Sequence, residues 1–336
     1  MRFKTELKNI RTFSKFTAAL SSLEKIAWVR LDDETARFTV IPDTGSQVWS
    51  VIPMDFIFDG YHIQSAEKDN TINLELPLAL LQRALRSASN STSASLRLTK
   101  KDGVPVLSMT ITTTTSTSGA GGRNAAYAGL ENDPFDDDEG FMPENLTSLR
   151  HEREKIITQN IPVRVLHPET VETIMQPTVR ETDVHIMLPP LLQLKAISDR
   201  FTKLAMASGS SRTGPKLELS ANMFGSLKLR IATESVNVST TWSGLQNPEL
   251  DQSQFDMPLE EHPSVAFTAG GENKWATVRV DGKDWSKVLS VGRLEGRVVA
   301  AFVDDHALIL HVYVPQYEDA QAEEAILTYY VGSFSQ

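Results

Sequence analysis

The stretch ITQNIPVRVLHPETVETIMQPTVRETD, residues 157–183, lies between two parts of the chain that repeat one order of elements. Its first third, 160–166, is a short β-branched run with Pro162 near its start. This is typical of an edge strand, because proline cannot donate to a central ladder. The remainder, 167–183, has two prolines, four acids and little periodicity. We therefore interpret it as a connector between two domains, with the boundary near Arg180.

Length and composition favour two ordinary domains. The 336 residues are 40% apolar and 23% charged, and the formal net charge is −10. No window approaches the roughly 18 to 20 apolar residues of a membrane span. The first residues lack the apolar core of a secretory signal, and the chain has no cysteine. We expect a protein outside the membrane, inside the cell, without disulfides or thiolate sites.

Four amphipathic helices are predicted, at 8–23, 78–88, 190–206 and 283–291. In the first, Ile10, Phe13, Thr17 and Leu20 recur at three- and four-residue spacing and form one buried face. In the third, the predicted inward residues are Leu191, Leu194, Ile197, Phe201 and Leu204. The polar faces of these segments and the residue just after the last one carry eleven basic residues: Lys8, Arg11, Lys15, Arg83, Arg86, Lys195, Arg200, Lys203, Lys283, Lys287 and Arg293. Only Asp199 and Asp284 oppose them.

This segregation predicts one positive helical face on an acidic body. Such a face suits contact with phosphates that ignores base sequence. The alternative is that lysine and arginine fall on surface helices by chance, and it stays open for any single helix.

Short strands with strong turn chemistry surround the helices, and each half reads strand, helix, strands, strand, helix, strands. A Lys-Asp-Gly turn at 101–103 predicts a hairpin between strands 95–100 and 104–113. We predict an α+β protein with antiparallel sheets. The domains are 1–166 and 184–336, with 167–183 as connector. A Thr/Ser, Gly/Ala and then acidic tract at 112–155 predicts a disordered acidic insertion within the first domain.

Several segments resemble a known family. They are MRFK at 1–4, SLRLTK at 95–100, NIPVRV at 160–165, VHIMLP at 184–189, LKLRIATE at 227–234 and QNP at 246–248. They resemble the hydroxyurea-sensitive (Hus) subunit family of the nine-one-one DNA-damage checkpoint clamp, in a fungal-type version. The resemblance covers nearly the whole chain apart from the insertion and a second loop at 246–274.

The resemblance implies a PCNA-like sliding-clamp protomer, whose two similar domains each place two helices on the bore of a ring. It implies a nuclear heterotrimer with two related subunits. An ATP-dependent clamp loader opens the ring onto double-stranded DNA, and checkpoint and repair client proteins dock on it. It also implies no catalytic activity, no catalytic residues, no cofactor and no metal.

Mapped onto this sequence, the resemblance places the eleven basic residues on the bore. The subunit interface is expected at the edge strands 157–166 and 236–242, through Ile161, Val163, Val165, Val236, Val238 and Thr240. Val171, Ile174 and Met175 of the connector are candidate residues of a client groove. The alternative for these three is that they only fill the seam between the domains.

Two other functions remain possible from the sequence. The same fold could form a homotrimeric PCNA-type processivity clamp. A hydrolase or transferase site in the loops is motivated only by the acids at 131–139. Seven histidines are scattered without metal-ligand spacing, which gives metal catalysis little support.

Overall fold

The structure, a computed structural model, describes residues 1–43, 45–116, 152–172, 174, 176–207, 214–248, 262–314 and 325–334. The predicted insertion therefore lies mostly outside the described residues. At its margins the prediction was too wide, because the β-branched threonines after position 111 continue one strand to Ser116 and the next strand begins at Glu152.

The first half alternates short strands with helices. Its elements are β1 (Arg2–Leu7), α1 (Ile10–Ser21), β2 (Ile26–Leu31), β3 (Thr35–Val40), β4 (Gln47–Pro53), α2 (Met54–Ile57), β5 (Phe58–Gln64), β6 (Ile72–Pro77), α3 (Leu78–Ala88), β7 (Ser93–Lys101), β8 (Val104–Ser116), β9 (Glu152–Pro162) and β10 (Arg164–Val165). A 3-10 turn covers Lys68–Asn70. The β7–β8 hairpin has Asp102 and Gly103 at φ 51° and 81°. The predicted hairpin is confirmed, and two positive φ angles in its two-residue loop are the requirement of a type I′ turn.

The second half repeats this plan. Its elements are α4 (Pro168–Glu172) in the predicted connector, then β11 (Val184–Met187), α5 (Leu191–Ala207), β12 (Lys216–Ala221), β13 (Leu227–Ala232), β14 (Asn237–Trp242), α6 (Pro263–Ala269), β15 (Ala276–Asp281), α7 (Gly282–Val288), β16 (Arg297–Val303), β17 (Ala307–Val314) and β18 (Ala325–Gly332). A 3-10 helix, Leu289–Leu294, continues α7.

The strands form three antiparallel sheets. Their orders are β5-β1-β7-β8-β9, β14-β13-β12-β15, and β10-β6-β2-β3-β4-β18-β17-β16-β11. The third sheet contains a β6-β2-β3-β4 part and a β18-β17-β16-β11 part. These two parts correspond, by order and register, to the four-stranded sheet and to β1-β7-β8-β9. The β4–β18 pairing thus joins the two halves.

The helices form where buried residues recur at helical spacing. In α3, Leu78, Leu81, Ala84, Leu85 and Ala88 are all buried, at the three- and four-residue spacing of one helix face. Proline suits the position before this helix, because the first helical N–H groups need no intrahelical partner.

One predicted inward residue of α5 is wrong. Leu204 is 51% exposed, whereas Ala205 is 3% exposed. The buried side of α5 is completed by small polar residues, Ser198 and Thr202, whose hydroxyls donate to the carbonyls of Leu194 and Ser198. The helix is therefore rotated away from the face that its largest residues alone would choose.

Among the elements that were not predicted, β5 and α6 lie at the flank of a sheet. In the first half β5 pairs with β1. In the second half the place beside β11 is taken by irregular chain, with Asn247 Nδ2 donating to the His185 carbonyl at 2.6 Å and α6 packing on β11. The sequence FDGYHIQ of β5 shows no alternation, so only its long-range pairing makes it a strand.

A histidine pair lies under this cover. His185 is 8% and His262 1% exposed, and their ring centroids are 6.0 Å apart. His185 Nε2 is 2.6 Å from Thr182 Oγ1, and His262 accepts from the Ser264 N–H at the start of α6. Burial, followed by the proximity of His262 and His311, lowers the pKa of His185 to about 4. His185 is therefore held neutral at ordinary pH.

Candidate functional site

The helices of the two halves form one layer. Helix α1 packs on α3 and on the 3-10 helix Leu289–Leu294, and α5 packs on α7 and on that same 3-10 helix. Lys15 Nζ lies 3.2 Å from Glu295 Oε1, and Ser22 Oγ donates to the Lys287 carbonyl at 3.2 Å. Both contacts cross between the halves, so the layer is continuous. No described helix is long and apolar enough to span a membrane.

Nine of the eleven predicted basic residues are exposed on this layer. They are Arg11, Lys15, Arg83, Arg86, Arg200, Lys203, Lys283, Lys287 and Arg293. Lys15 pairs with Glu295, and Lys287 Nζ pairs with Asp284 at 3.1 Å. Within the described residues the other seven have no ion pair, so their charge is available to solvent ions or to a ligand.

The remaining two basic residues differ from the prediction. Lys8 precedes α1, because Asn9 takes a left-handed conformation (φ 52°) as the N-cap residue. Lys195 lies between α5 and α7: its Nζ donates to the Ser286 carbonyl at 2.8 Å and pairs with Asp199 at 3.4 Å. It holds two helices together, and its charge is largely used within the chain.

Exposed cations on neighbouring helices of one layer produce a locally positive potential despite the net charge of −10. Contacts to phosphates from such a face release counterions and carry no base specificity. The layer can therefore hold a polyanion of regular shape. Within the described residues no three His, Asp or Glu side chains are placed to hold a metal ion.

Six strands end a sheet within the described residues, and two of them, each paired regularly with its neighbour over six or more residues, have an outer edge without a backbone partner there. They are β9, at the end of the five-stranded sheet, and β14, at the end of the four-stranded sheet. By register, β9 occupies in its half the place that β18 occupies in the other, and β14 occupies the place of β4. It is β18 and β4 that pair with each other across the internal joint, in a register from Ile326 opposite Val51 to Tyr330 opposite Gln47.

Another strand at the end of a sheet, β5, differs from these two. Its pairing with β1 contains a register shift, and Gly60 within it has φ 52°. Irregularities of this kind blunt an edge against further pairing. The edges of β9 and β14 have no such break in their pairing with β8 and β13. They remain competent to pair with another strand.

The side chains that these edges present differ from the predicted interface residues. Ile161 and Val163 are 1% and 7% exposed, so their side chains lie in the core. Val165 belongs to β10, which pairs with β6 in another sheet. The predicted single strand 157–166 is thus two strands, separated at Val163. Val236, just before β14, and Val238 and Thr240 of β14 are half-buried.

The alternate residues of these two strands face outward and were missed. They are Ile156, Thr158 and Asn160 on β9 and Asn237, Ser239 and Thr241 on β14, of which Ile156 is 65% exposed. The period-2 alternation of strands would have identified them, had the register been fixed correctly.

A groove lies between the connector and the β6-β2-β3-β4 part of the large sheet. It has a volume of about 490 Å³. Its floor contains Trp28 and Trp49, which flank Thr39 in one cross-strand row. Val171 and Ile174 of the connector line it, whereas Met175 lies outside the described residues. The tryptophans were not predicted as groove residues, although two tryptophans at half-buried positions of predicted strands are a signal for an aromatic surface.

The corresponding face of the four-stranded sheet is built differently. There the positions of Trp28, Thr39 and Glu75 are occupied by Glu218, Arg230 and Arg279. Glu218 lies 3.4 Å from Arg230 and 3.3 Å from Arg279, so this face carries ion pairs. The aromatic floor is therefore particular to the side that the connector crosses.

Comparison with known proteins identifies the family and the fold. The chain matches the family described as "Hus1-like protein" over residues 1–335. It is 36% identical to "Checkpoint protein hus1" of Schizosaccharomyces pombe over 99% of both chains. It is 23% identical to "Checkpoint protein HUS1" of Homo sapiens over 74% of this chain and 76% of that one.

Among solved structures, the proliferating cellular nuclear antigen of Entamoeba histolytica aligns with a TM-score of 0.61 at 16% identity, covering 99% of both chains. A chain of the PCNA2–PCNA3 complex of Sulfolobus tokodaii aligns with a TM-score of 0.57 at 14% identity. The alignment covers 99% of this protein and 99% of that chain. The protein thus has the PCNA-like fold, and the resemblance read from the sequence is confirmed: the chain belongs to the Hus1-like protein family.

Proposed function

We propose that the chain is a non-enzymatic subunit of a heterotrimeric ring that encircles double-stranded DNA and acts in the DNA-damage checkpoint. One observation carries this proposal. The two free edges, β9 and β14, are the counterparts of the strands that join the two halves internally. Such an arrangement is heterologous, and repeating it head to tail closes a ring when the rotation permits.

The internal joint supplies a register for the joints between subunits. Transferring the β18–β4 pairing to the corresponding residues places Thr158 opposite the position of Ser239, and Asn160 opposite that of Asn237. Main-chain hydrogen bonds would then continue the sheet from one subunit to the next. Pairing would also cover two edges that otherwise invite aggregation.

In this ring the helical layer faces the bore. Its seven exposed, unpaired cations would contact the duplex backbone without reading bases. Individual contacts would be weak and partly mediated by water, which suits a ring that moves along DNA. The proposed domains are 1–166 and 184–336, with 167–183 as the connector on the outside.

The groove with the Trp28 and Trp49 floor is the proposed client site. Aromatic floors in half-buried grooves are typical anchor points of interfaces. Val171 and Ile174 would contact a client peptide from the connector side. An ATP-dependent loader, checkpoint and repair clients, and a nuclear location complete the proposal; they are supported by the likeness to the checkpoint proteins of Schizosaccharomyces pombe and Homo sapiens.

A homotrimeric processivity clamp is the second candidate, because the same two edges would also pair between copies of this chain. The sequence likeness to checkpoint proteins favours the heteromeric ring. Native mass measurement of the complex that co-purifies with the tagged chain separates the two. The proposal requires one copy of this chain with two different related subunits. A complex with three copies of this chain would support the alternative and contradict the proposal.

A further inference from the structure

A basic cluster lies on the side of the five-stranded sheet away from the helices. Arg2 and Lys4 on β1 and Arg97 on β7 alternate with buried residues and face this side, and Lys100 at the end of β7 adjoins them; all four are exposed, and we call them the outer basic patch. Lys4 stands directly opposite Arg97 on one side and His62 on the other. The patch thus spans two adjacent strands, and His62 flanks it on a third, β5.

The patch is electrostatically unsatisfied within the described part of the chain. None of its four cations has an ion pair there. Glu6, two residues from Lys4 on the same face of β1, does not pair with it. Like charges directly opposite each other destabilise a sheet. A protein that keeps such a pair gives up stability, which is common where a surface binds a ligand of opposite charge.

The patch surrounds a depression and not a flat surface. The concavity measures about 900 Å³ and is lined by the four cations together with Met1, Pro105 and Val165, with no acid among its lining residues. Its chemistry is a basic rim around apolar groups. It fits a ligand that brings both negative charge and an apolar side chain.

The repeat within the chain shows that this face is closed in the other half. By register, Lys4 corresponds to His185 and Arg97 to Ala301, since Phe3 faces Leu98 as Val184 faces Phe302. His185 is 8% and Ala301 0% exposed, under cover that includes α6. The same sheet face is therefore covered by the chain's own residues in one half, and open and charged in the other.

We propose that the outer basic patch binds an acidic peptide segment of a partner protein, one that carries an apolar side chain among its carboxylates. The carboxylates would neutralise Lys4 and Arg97, and the apolar side chain would enter the depression beside Pro105 and Val165. A peptide fits better than a duplex, because the phosphates of a duplex offer nothing to the apolar lining. This surface is separate from both the helical layer and the Trp28–Trp49 groove.

The test uses a short labelled peptide rich in glutamate with two central leucines, and a matched peptide with glutamine at every glutamate position. Binding to the full chain is followed by fluorescence anisotropy. The acidic peptide should bind with an affinity that falls as salt rises, and the glutamine peptide should not. Equal binding of the two peptides would overturn the proposal.

Two double variants with the same change of net charge locate the site. K4E/R97E should weaken peptide binding by about tenfold or more, because two attractive contacts become repulsive. R86E/K203E, on the helical layer, should leave it unchanged. An equal loss in both variants, or in neither, contradicts the assignment. If K4E/R97E lost duplex DNA binding and R86E/K203E did not, the patch would be a nucleic-acid surface. That result would also overturn the proposal.

The single variant R97E tests whether folding explains the loss. It places a carboxylate opposite Lys4, so the thermal midpoint should hold or rise while peptide binding falls. A lower midpoint together with weaker binding would indicate a structural role and overturn the proposal. A variant with the six acids at 131–139 neutralised should bind the peptide with unchanged affinity. Tighter binding of the peptide by this variant would instead identify the chain's own acids as the occupant of the patch, and would contradict the proposal.

Discussion

Reversing two charges on the helical layer should weaken DNA binding by the assembled ring. The variant is Arg86→Glu/Lys203→Glu, with one residue on α3 and one on α5. Both side chains are exposed and have no ion pair among the described residues. They come from the two halves of the chain, so the variant samples both halves of the layer without touching either free edge.

The magnitude follows from counterion release. Each phosphate contact contributes about 0.9 to the slope of log K against log salt, so losing two contacts should lower the slope by about 1.8. At about 0.1 M salt, relative to 1 M, the same two contacts are worth up to about 60-fold in affinity. Water-mediated and shared contacts reduce this value and repulsion by the new carboxylates increases it, so we expect a loss of at least about tenfold.

The assay is equilibrium binding of the purified ring to a fluorescent linear duplex, followed by anisotropy between about 50 and 300 mM salt, a range in which screening changes strongly. Native mass should show that the variant ring is still assembled. The control is Lys4→Glu/Arg97→Glu, which makes the same change of net charge on the outer face. An unchanged slope for the helical-layer variant, or an equal decrease for the control, would refute the assignment of the layer as the DNA-facing surface.

Three further predictions test the edges, the groove and the histidine pair. Because the chain has no cysteine, the double variant Thr158→Cys/Ser239→Cys reports on self-pairing: oxidation of the lone chain should leave it uncrosslinked on denaturing gels, whereas a covalent trimer would support the homotrimeric alternative. Trp28→Ala/Trp49→Ala should reduce client co-purification by an order of magnitude or more while ring assembly persists, since aromatic anchors dominate such interfaces; alanine substitutions on the corresponding face of the four-stranded sheet should not. His185 has a folded pKa of about 4 against 6.5 unfolded, so the unfolded chain binds more protons and stability is lost as pH falls through that window. The loss should total about 3 kcal/mol by linkage, and His185→Gln should flatten this pH dependence in denaturant titrations.

Local sequence rules predicted the elements well where one face of an element is buried. Helix α3 was predicted at its observed bounds, because Pro77 precedes it and its leucines recur at helical spacing. The β7–β8 hairpin followed from Asp102-Gly103, a pair that tolerates the positive φ angles of its turn. Here local preference and the tertiary structure agree, so the sequence was sufficient.

The errors arose where distant residues decide the outcome. Strand β5 exists through pairing with β1 and has no alternation of its own. Leu204 faces outward because small residues bury the opposite side of α5. Lys195 is drawn to the Ser286 carbonyl, a partner 91 residues away in the sequence. None of these contacts leaves a local pattern.

The candidate site shows the same division. Periodicity placed most of the basic residues on exposed helix faces, and Pro162 correctly marked an edge. The side chains presented by that edge were not identified, because the register of β9 depends on its pairing with β8 and a shift of one residue exchanges the two faces. The correspondence of β9 with β18 and of β14 with β4 could be seen only in the folded chain.

The central claim is that β9 and β14 each pair with a strand of a neighbouring subunit. Hydrogen–deuterium exchange tests it most directly, by comparing the lone chain with the complex that co-purifies with it. Amides of β9 and β14 should become strongly protected in the complex, whereas amides of the blunted edge β5 should exchange as before. Unchanged exchange at both β9 and β14 in the assembled complex would contradict the account.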